Sequence, residues 1–125
     1  MKEFFVQTKK QVEAIDITHE IEARIEKNAK ACLVFVPHAT AAIILNEYEP
    51  NIKSDYEKFY SELAKGDWRH NSIDNNAEAH LLSSLVKPFA LIPCENGKLM
   101  LGTWQRVMLL ELDGPRRRKI TLTTL

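Results

Sequence analysis

Histidine is the residue type that says most about possible chemistry in this chain. There are four, and His38, His70 and His80 fall where a strand end, a loop and a helix can bring them together. His38 follows an apolar run at Pro37, the kind of strand end where loops carry function. His70 lies in the polar stretch Trp68-Arg69-His70-Asn71. His80 shares a predicted helical stripe with Leu81 and Leu85, where an imidazole is costly unless its nitrogens are satisfied. A hydrogen bond in the core would satisfy them. So would a metal, because neutral imidazole ligates zinc and three protein ligands plus an open water position describe a catalytic zinc site. His70 and His80 lack the i, i+4 spacing of a helical H-E-x-x-H motif, so residue types alone leave both readings open. His19, beside the start of the first predicted helix, reads as a surface residue.

Carboxylates and amides surround these histidines in the sequence. Asn46 and Glu47 end an apolar strand, while Asp74 and Asn76 precede His80. They are placed to orient ligands or bind substrate, but Asn76 is also a good helix cap and Glu47 a plausible turn residue. Trp104 and Gln105 follow Gly102-Thr103, and a tryptophan there either stacks on a heterocycle or fills the core. Arg116-Arg117-Arg118-Lys119 is the one basic cluster. With period two, Arg116 and Arg118 share a side with Ile120 and Leu122, and Arg117 and Lys119 point the other way. Inward arginines need anionic partners, either a bound phosphate or an internal carboxylate such as Glu111 or Asp113.

The elements that must position these groups alternate along the chain. Strands are predicted over 3–8 and 12–17, followed by a helix capped by Thr18 that carries Ile21 and Ile25 and ends near Asn28. The runs ACLVFV (31–36) and AAIIL (41–45) read as strands covered on both faces. Pro50 opens a second helix with Ile52, Tyr56, Phe59 and Leu63 on one apolar face, ending at Gly66. Asn76 caps a third helix with Ala77, His80, Leu81, Ser84 and Leu85 inward, and Pro88 ends it. Strands then follow over 89–93, 98–101, 104–112 and 116–124. The class is α+β, a largely antiparallel sheet with about three helices in a single domain spanning 1–125.

At 125 residues, with 45% hydrophobic and 27% charged residues, the composition excludes disordered and low-complexity classes. Seventeen basic residues balance seventeen acidic ones, so neither nucleic acid nor a membrane surface is an expected partner. No apolar run approaches the roughly 18 residues of a spanning helix, which points to a cytoplasmic address. Cys32 and Cys94 show no C-x-x-C spacing and read as buried thiols. Three moderate helices cannot hide both faces of several apolar strands, so self-association is expected.

Taken together, Pro37-His38-Ala39-Thr40-Ala41, Asn46-Glu47, His70-Asn71, Asp74 with Asn76 and His80, Leu101-Gly102-Thr103-Trp104-Gln105 and Asp113-Gly114-Pro115-Arg116 resemble the YjbQ-like family. The likeness covers almost the whole chain. It departs at Ala39, where members usually carry a threonine, and this removes one hydroxyl. The resemblance implies the YjbQ-like α+β fold, a homotrimer and a weak thiamine-phosphate synthase activity that joins a pyrimidine diphosphate to a thiazole phosphate. It implies metal ligation by His38, His70 and His80, and substrate binding by Thr40, Asn46, Asn76, Trp104, Gln105, Arg116 and Arg118, with Glu47 and Asp74 as catalytic carboxylates. Three histidines suit zinc better than magnesium, which prefers oxygen ligands. A zinc-type hydrolase or lyase acting on a small phosphorylated metabolite, and a non-catalytic metal- or metabolite-binding protein, are therefore the alternative functions.

Overall fold

Two antiparallel sheets organise the computed structural model, which describes residues 1–125. The strands are β1 (Lys2–Gln7), β2 (Glu13–Asp16), β3 (Ala31–Phe35), β4 (Ala41–Asn46), β5 (Phe89–Glu95), β6 (Lys98–Leu99), β7 (Arg106–Glu111) and β8 (Arg117–Thr124). The larger sheet runs β1-β8-β3-β5-β6 and the smaller β2-β7-β4. Between them lies the main core, with Phe4, Val34, Ile120 and Leu122 from one sheet meeting Ile43, Val107 and Leu109 from the other. The tight β5–β6 turn places Asn96 and Gly97 at positive φ, as a two-residue hairpin requires.

The first helix, α1 (Thr18–Glu22), is one turn long and does not reach Asn28. Arg24 lays its guanidinium on the Glu20 carbonyl, the acceptor that a continuing helix would offer to Arg24 N–H. Thr18 does not cap this helix. Its hydroxyl donates to Asp16 Oδ1 at 2.7 Å and accepts Val107 N–H at 2.9 Å, tying α1 to β7.

Helix α2 (Pro50–Leu63) starts where Pro50 predicts, capped by the Glu49 carboxylate, which accepts the N–H groups of Asn51 and Ile52. Its expected apolar face is only partly used, since Phe59 and Leu63 are exposed. The side turned to the small sheet instead carries Tyr60 and Glu57, whose carboxylate accepts Ala14 N–H on edge strand β2. Helix α3 (Ala77–Val86) is similarly rotated from expectation. Ala79, Leu82 and Ser83 are buried while Leu81 and Leu85 are exposed, because the helix meets Ala42, Leu110 and Leu112 on the back of the small sheet. The layers are therefore large sheet, small sheet, helices.

Strand β4 is covered on both faces as expected. Strand β3 is not: Cys32 and Val34 face the core, but Phe35 is exposed on the outer face of the large sheet. Phe5, Phe89 and Leu91 are exposed with it. Both cysteines are free and buried, and burial, with Cys94 nearby, pushes the Cys32 thiol up to about 12. No helix is long and apolar enough to cross a membrane.

One buried ion pair joins the two sheets. Glu111, at the end of β7, is fully buried and meets Arg118 of β8, which is 2% exposed. Arg118 Nε donates to Glu111 Oε2 at 2.8 Å and Nη2 to Oε1. Thr8 Oγ1 donates to Oε2 at 2.8 Å and Asp113 N–H to Oε1 at 3.0 Å, so both carboxylate oxygens are saturated. Of the two partners open to an inward arginine, Arg118 takes the internal carboxylate. Gly114 is forced by this cluster, because a Cβ there would stand 2.3 Å from the Lys10 carbonyl and 2.8 Å from Thr8 Oγ1.

Replacing Arg118 with Ala strands a buried carboxylate and is expected to cost about 3–5 kcal/mol in urea denaturation, whereas Arg117→Ala changes stability by less than about 1 kcal/mol. Equal losses from the two variants would show that the pair does not hold the sheets together.

Candidate functional site

Where β3 ends, β8 loses its neighbour. Phe35 pairs with Thr121, Pro37 then turns the chain away, and the Lys119 N–H farther along β8 is taken up by His38 Nε2 at 2.9 Å. This bond requires Nε2 to be unprotonated, so a neutral His38 carries its proton on Nδ1, which has no partner in the chain. Burial first, and the Arg118 guanidinium second, pull His38 below the ordinary histidine range, with Glu111 acting in the opposite direction. His38 is thus held as a neutral imidazole with a free N–H.

Across from it, the 3₁₀ turn Arg69–Ser72 and the start of α3 bring His70 and His80 edge to face, with ring centroids 4.9 Å apart. Asn76 stands at the helix start as expected, but its side chain does not cap. The Asn71 carboxamide oxygen caps in its place by accepting Ala77 N–H at 2.9 Å. Asn76 is left to bridge: its Oδ1 pairs with His70 Nε2 and its Nδ2 donates to Asp113 Oδ2, both at 2.9 Å. Asp113 in turn receives Arg116 Nη2 at 3.0 Å. The network His70-Asn76-Asp113-Arg116 assigns the His70 proton to Nε2.

An open cavity of about 630 Å³ is lined by His38, His80, Asp74, Asn76, Asp113 and Arg116 to Arg118, while His70 is not among its walls and is tied to them through Asn76. Arg116 precedes β8 and has half its side chain exposed, so it borders the cavity and is not buried with Ile120 as parity suggested. Arg117 stacks on Phe5, its guanidinium carbon 3.8 Å from the ring centroid, and still reaches the cavity wall. Arg118 is committed to Glu111 and to Thr40, whose carbonyl and hydroxyl both accept from Nη2. Thr40 and Arg118 therefore form the wall behind the site.

The remaining expected residues lie elsewhere. Asn46 pairs with Arg106 at the opposite end of β4 from Ala41, about 17 Å along the strand. Glu47, Trp104 and Gln105 share that end, where Trp104 is 72% exposed on a turn and Gln105 accepts Gly102 N–H. Within this chain they do not meet the histidines. Asp113, named with Glu111 as a carboxylate partner for an inward arginine, takes Arg116. Asn71 and Arg117 have roles not expected from the sequence: Asn71, which stands beside His70, caps α3, and Arg117 points the way parity predicts but bends back along Phe5 to the cavity wall.

In this structure no three of the chain's His, Cys, Asp or Glu side chains are grouped so that they could hold a metal ion. His38 and His70 each direct Nε2 to a hydrogen bond within the chain, which leaves their Nδ1 atoms, with the His80 imidazole, as the nitrogens that would hold zinc. Elemental analysis of the parent protein and of His80→Ala tests that ligation: zinc that falls strongly in the variant is the expected outcome, and equal metal content in the two would reject it.

The neutral state of His38 also generates a pH dependence. In the unfolded chain His38 titrates near 6.5, above its folded value, so between the two the unfolded state binds the proton preferentially. This contribution to stability is complete above about pH 6.5 and is lost as pH falls toward the folded pKa. Denaturation midpoints measured between pH 7 and pH 5 are expected to fall less in His38→Gln than in the parent protein.

The comparisons with known proteins agree with this architecture. Residues 2–125 match the family described as UPF0047 protein, YjbQ-like. A UPF0047 protein of Archaeoglobus fulgidus is 41% identical over 126 residues, covering 98% of this chain and 99% of that one. The UPF0047 protein YugU of Bacillus subtilis is 38% identical over 125 residues, covering 94% and 93%. Among solved structures, a hypothetical protein of Aeropyrum pernix superposes with a TM-score of 0.92 at 38% identity, covering 99% of this chain and 96% of that one. An uncharacterised protein of the same family from Clostridium acetobutylicum gives a TM-score of 0.92 at 33% identity, with both chains fully covered. With sequence and fold both matched over essentially its whole length, the chain belongs to the YjbQ-like UPF0047 family.

Proposed function

We propose that the cavity between α3 and β8 binds a small phosphorylated metabolite and acts on its phosphate-bearing bond. The observation that carries this reading is the pair of arginines at its open edge. Arg118 is taken up by Glu111, but Arg116, although paired with Asp113, has half of its side chain exposed, and Arg117, which has no carboxylate partner, reaches the same wall. A phosphate or pyrophosphate placed at the Arg116-Arg117 edge would meet charge-assisted donors, with the free N–H of His38 beside it. The His80 imidazole, which forms no hydrogen bond within the chain, is placed to transfer a proton, and Asp74 lines the same cavity.

The reaction implied by the family resemblance fits these parts. In thiamine-phosphate synthesis the thiazole nitrogen attacks the methylene carbon of the pyrimidine diphosphate, a C–N bond forms, the C–O bond breaks and pyrophosphate leaves. The arginines would neutralise that leaving group, and the cavity would hold the two reactants in line. Hydrolysis of a phosphate ester would use the same anion site, and release of inorganic phosphate instead of pyrophosphate distinguishes it.

Arg116→Ala is expected to weaken pyrophosphate binding about tenfold or more in calorimetric titration, equivalent to the loss of one charge-assisted contact. Absence of measurable pyrophosphate binding to the parent protein, or equal binding by the variant, would reject the anion site. Binding without turnover of the pyrimidine and thiazole pair or of phosphate esters would support the metabolite-binding alternative.

The homotrimer is part of the same proposal. The outer face of the large sheet exposes Phe5, Phe35, Phe89 and Leu91 together, an apolar surface that a second copy of the chain would cover. Phe5 and Arg117 continue this face to the edge of the cavity. Light scattering at micromolar concentration is expected to give three times the chain mass, and Leu91→Glu to shift it toward the monomer. A monomeric parent protein would reject the assembly.

A further inference from the structure

Beyond His80 the site continues into a smaller hollow of about 320 Å³, and the structure gives it a different character from the arginine-lined cavity. It shares His38, Ala39 and His80 with that cavity, and its far side is closed by Ala41, Ser83 and Pro88. No arginine, lysine or carboxylate lines it. Its walls are held from two directions: Val36 N–H donates to the Pro88 carbonyl at 2.9 Å and Ile43 N–H to the Lys87 carbonyl at 3.1 Å, so β3, β4 and the end of α3 are fixed around it.

Ser83 is the anomaly. Its residue is 6% exposed, and its hydroxyl is the single buried side-chain polar atom in the protein with no hydrogen-bond partner. A buried hydroxyl without a partner is costly, and native structures keep few. Neighbouring Ser84 shows the ordinary solution, with its hydroxyl bonded to the Leu81 carbonyl. Ser83 lies three residues after His80 and thus on the same face of α3. Two polar groups that form no bond within the chain belong to residues bordering the hollow, the His38 Nδ1–H and the His80 imidazole, and Ser83 Oγ lies behind its wall, closed to solvent in this structure and brought to the hollow by a turn about the Cα–Cβ bond of Ser83.

Resting on the phosphate reading above, we propose that this hollow receives the uncharged, hydrogen-bonding organic part of the phosphorylated ligand, with Ser83 as a specificity-determining contact. The phosphate stays on the arginine side, and a hydroxyl, carbonyl or ring nitrogen passes between His38 and His80 to reach Ser83 Oγ. Small side chains at Ala39 and Ala41 leave room for it. The ligand class is then a phosphate monoester or diphosphate ester whose organic part carries a heteroatom, and bare phosphate fills only half of the site.

Calorimetric titration with inorganic phosphate and with a set of phosphate monoesters tests this, the organic parts having three to eight non-hydrogen atoms and bearing a hydroxyl or ring nitrogen. The parent protein is expected to bind at least one ester at least tenfold more tightly than inorganic phosphate. Ser83→Ala should lose about fivefold or more of that excess, keep its affinity for inorganic phosphate and melt at or above the parent temperature, because it removes an unsatisfied group. Three results would overturn the proposal: no ester exceeding phosphate, an undiminished excess in Ser83→Ala, or a lowered melting temperature with both affinities falling together. If Ser83→Ala fails to fold, Ser83→Cys, which keeps the volume but weakens the hydrogen bond, is read in the same way. Failure of inorganic phosphate to bind the parent protein would reject the anion site itself, and is thereby distinct from failure of the Ser83 contact.

Discussion

The bidentate pair between Glu111 and Arg118 sets the frame on which the rest of the structure depends. Glu111 belongs to the small sheet and Arg118 to the large one, so the pair fixes how the two sheets meet at one end of the core. A charged pair so deeply buried is tolerable only when every other lone pair and proton nearby is also satisfied. Thr8, Thr40 and the Asp113 amide supply those partners, drawing the end of β1, the β3–β4 loop and the β7–β8 turn onto one point. The β3–β4 loop and the β7–β8 turn go on to line the candidate site. The site is therefore built on an electrostatic joint more than on any single element.

That joint also decides what the site can do. Because Arg118 is engaged by Glu111 and Thr40, its charge acts on the cavity mainly through the field it imposes on His38, which it helps to keep neutral. A neutral His38 whose Nε2 accepts Lys119 N–H must offer Nδ1–H, so a donor is held ready at the cavity wall. Arg116, by contrast, is pulled by Asp113 to the rim, where half of its side chain remains open to an anion. Two arginines of the same strand parity thus take different parts, one architectural and one available to ligand.

The layer order has a comparable consequence for association. The helices α2 and α3 cover the back of the small sheet and leave the outer face of the large sheet to Phe5, Phe35, Phe89 and Leu91. None of the elements of residues 1–125 covers that face. Arg117 lies against Phe5 at its margin, so the apolar face and the polar cavity are neighbours.

Strand and helix positions, the antiparallel character and the grouping of His38, Asp74, Asn76, His80 and Arg116 were legible from the residues, because period-two runs, Pro50, Pro88 and polar clusters are local signals. His70 was legible with them as a loop histidine, and the family likeness added its implied role as a metal ligand. The faces of the helices were not legible: Phe59, Leu63, Leu81 and Leu85 are spaced like core residues, yet whether a stripe is buried depends on which strands lie opposite it. The distance of Trp104, Gln105, Asn46 and Glu47 from the histidines within this chain was not legible for a similar reason, since sequence order does not say which end of a strand a loop returns to. Strand parity put Arg118 inside correctly, but it could not choose between phosphate and Glu111. Only the tertiary structure made that choice, because an ion pair seven residues apart across a turn, with Thr8 and Thr40 closing its hydrogen bonds, exists only once the two sheets have been stacked.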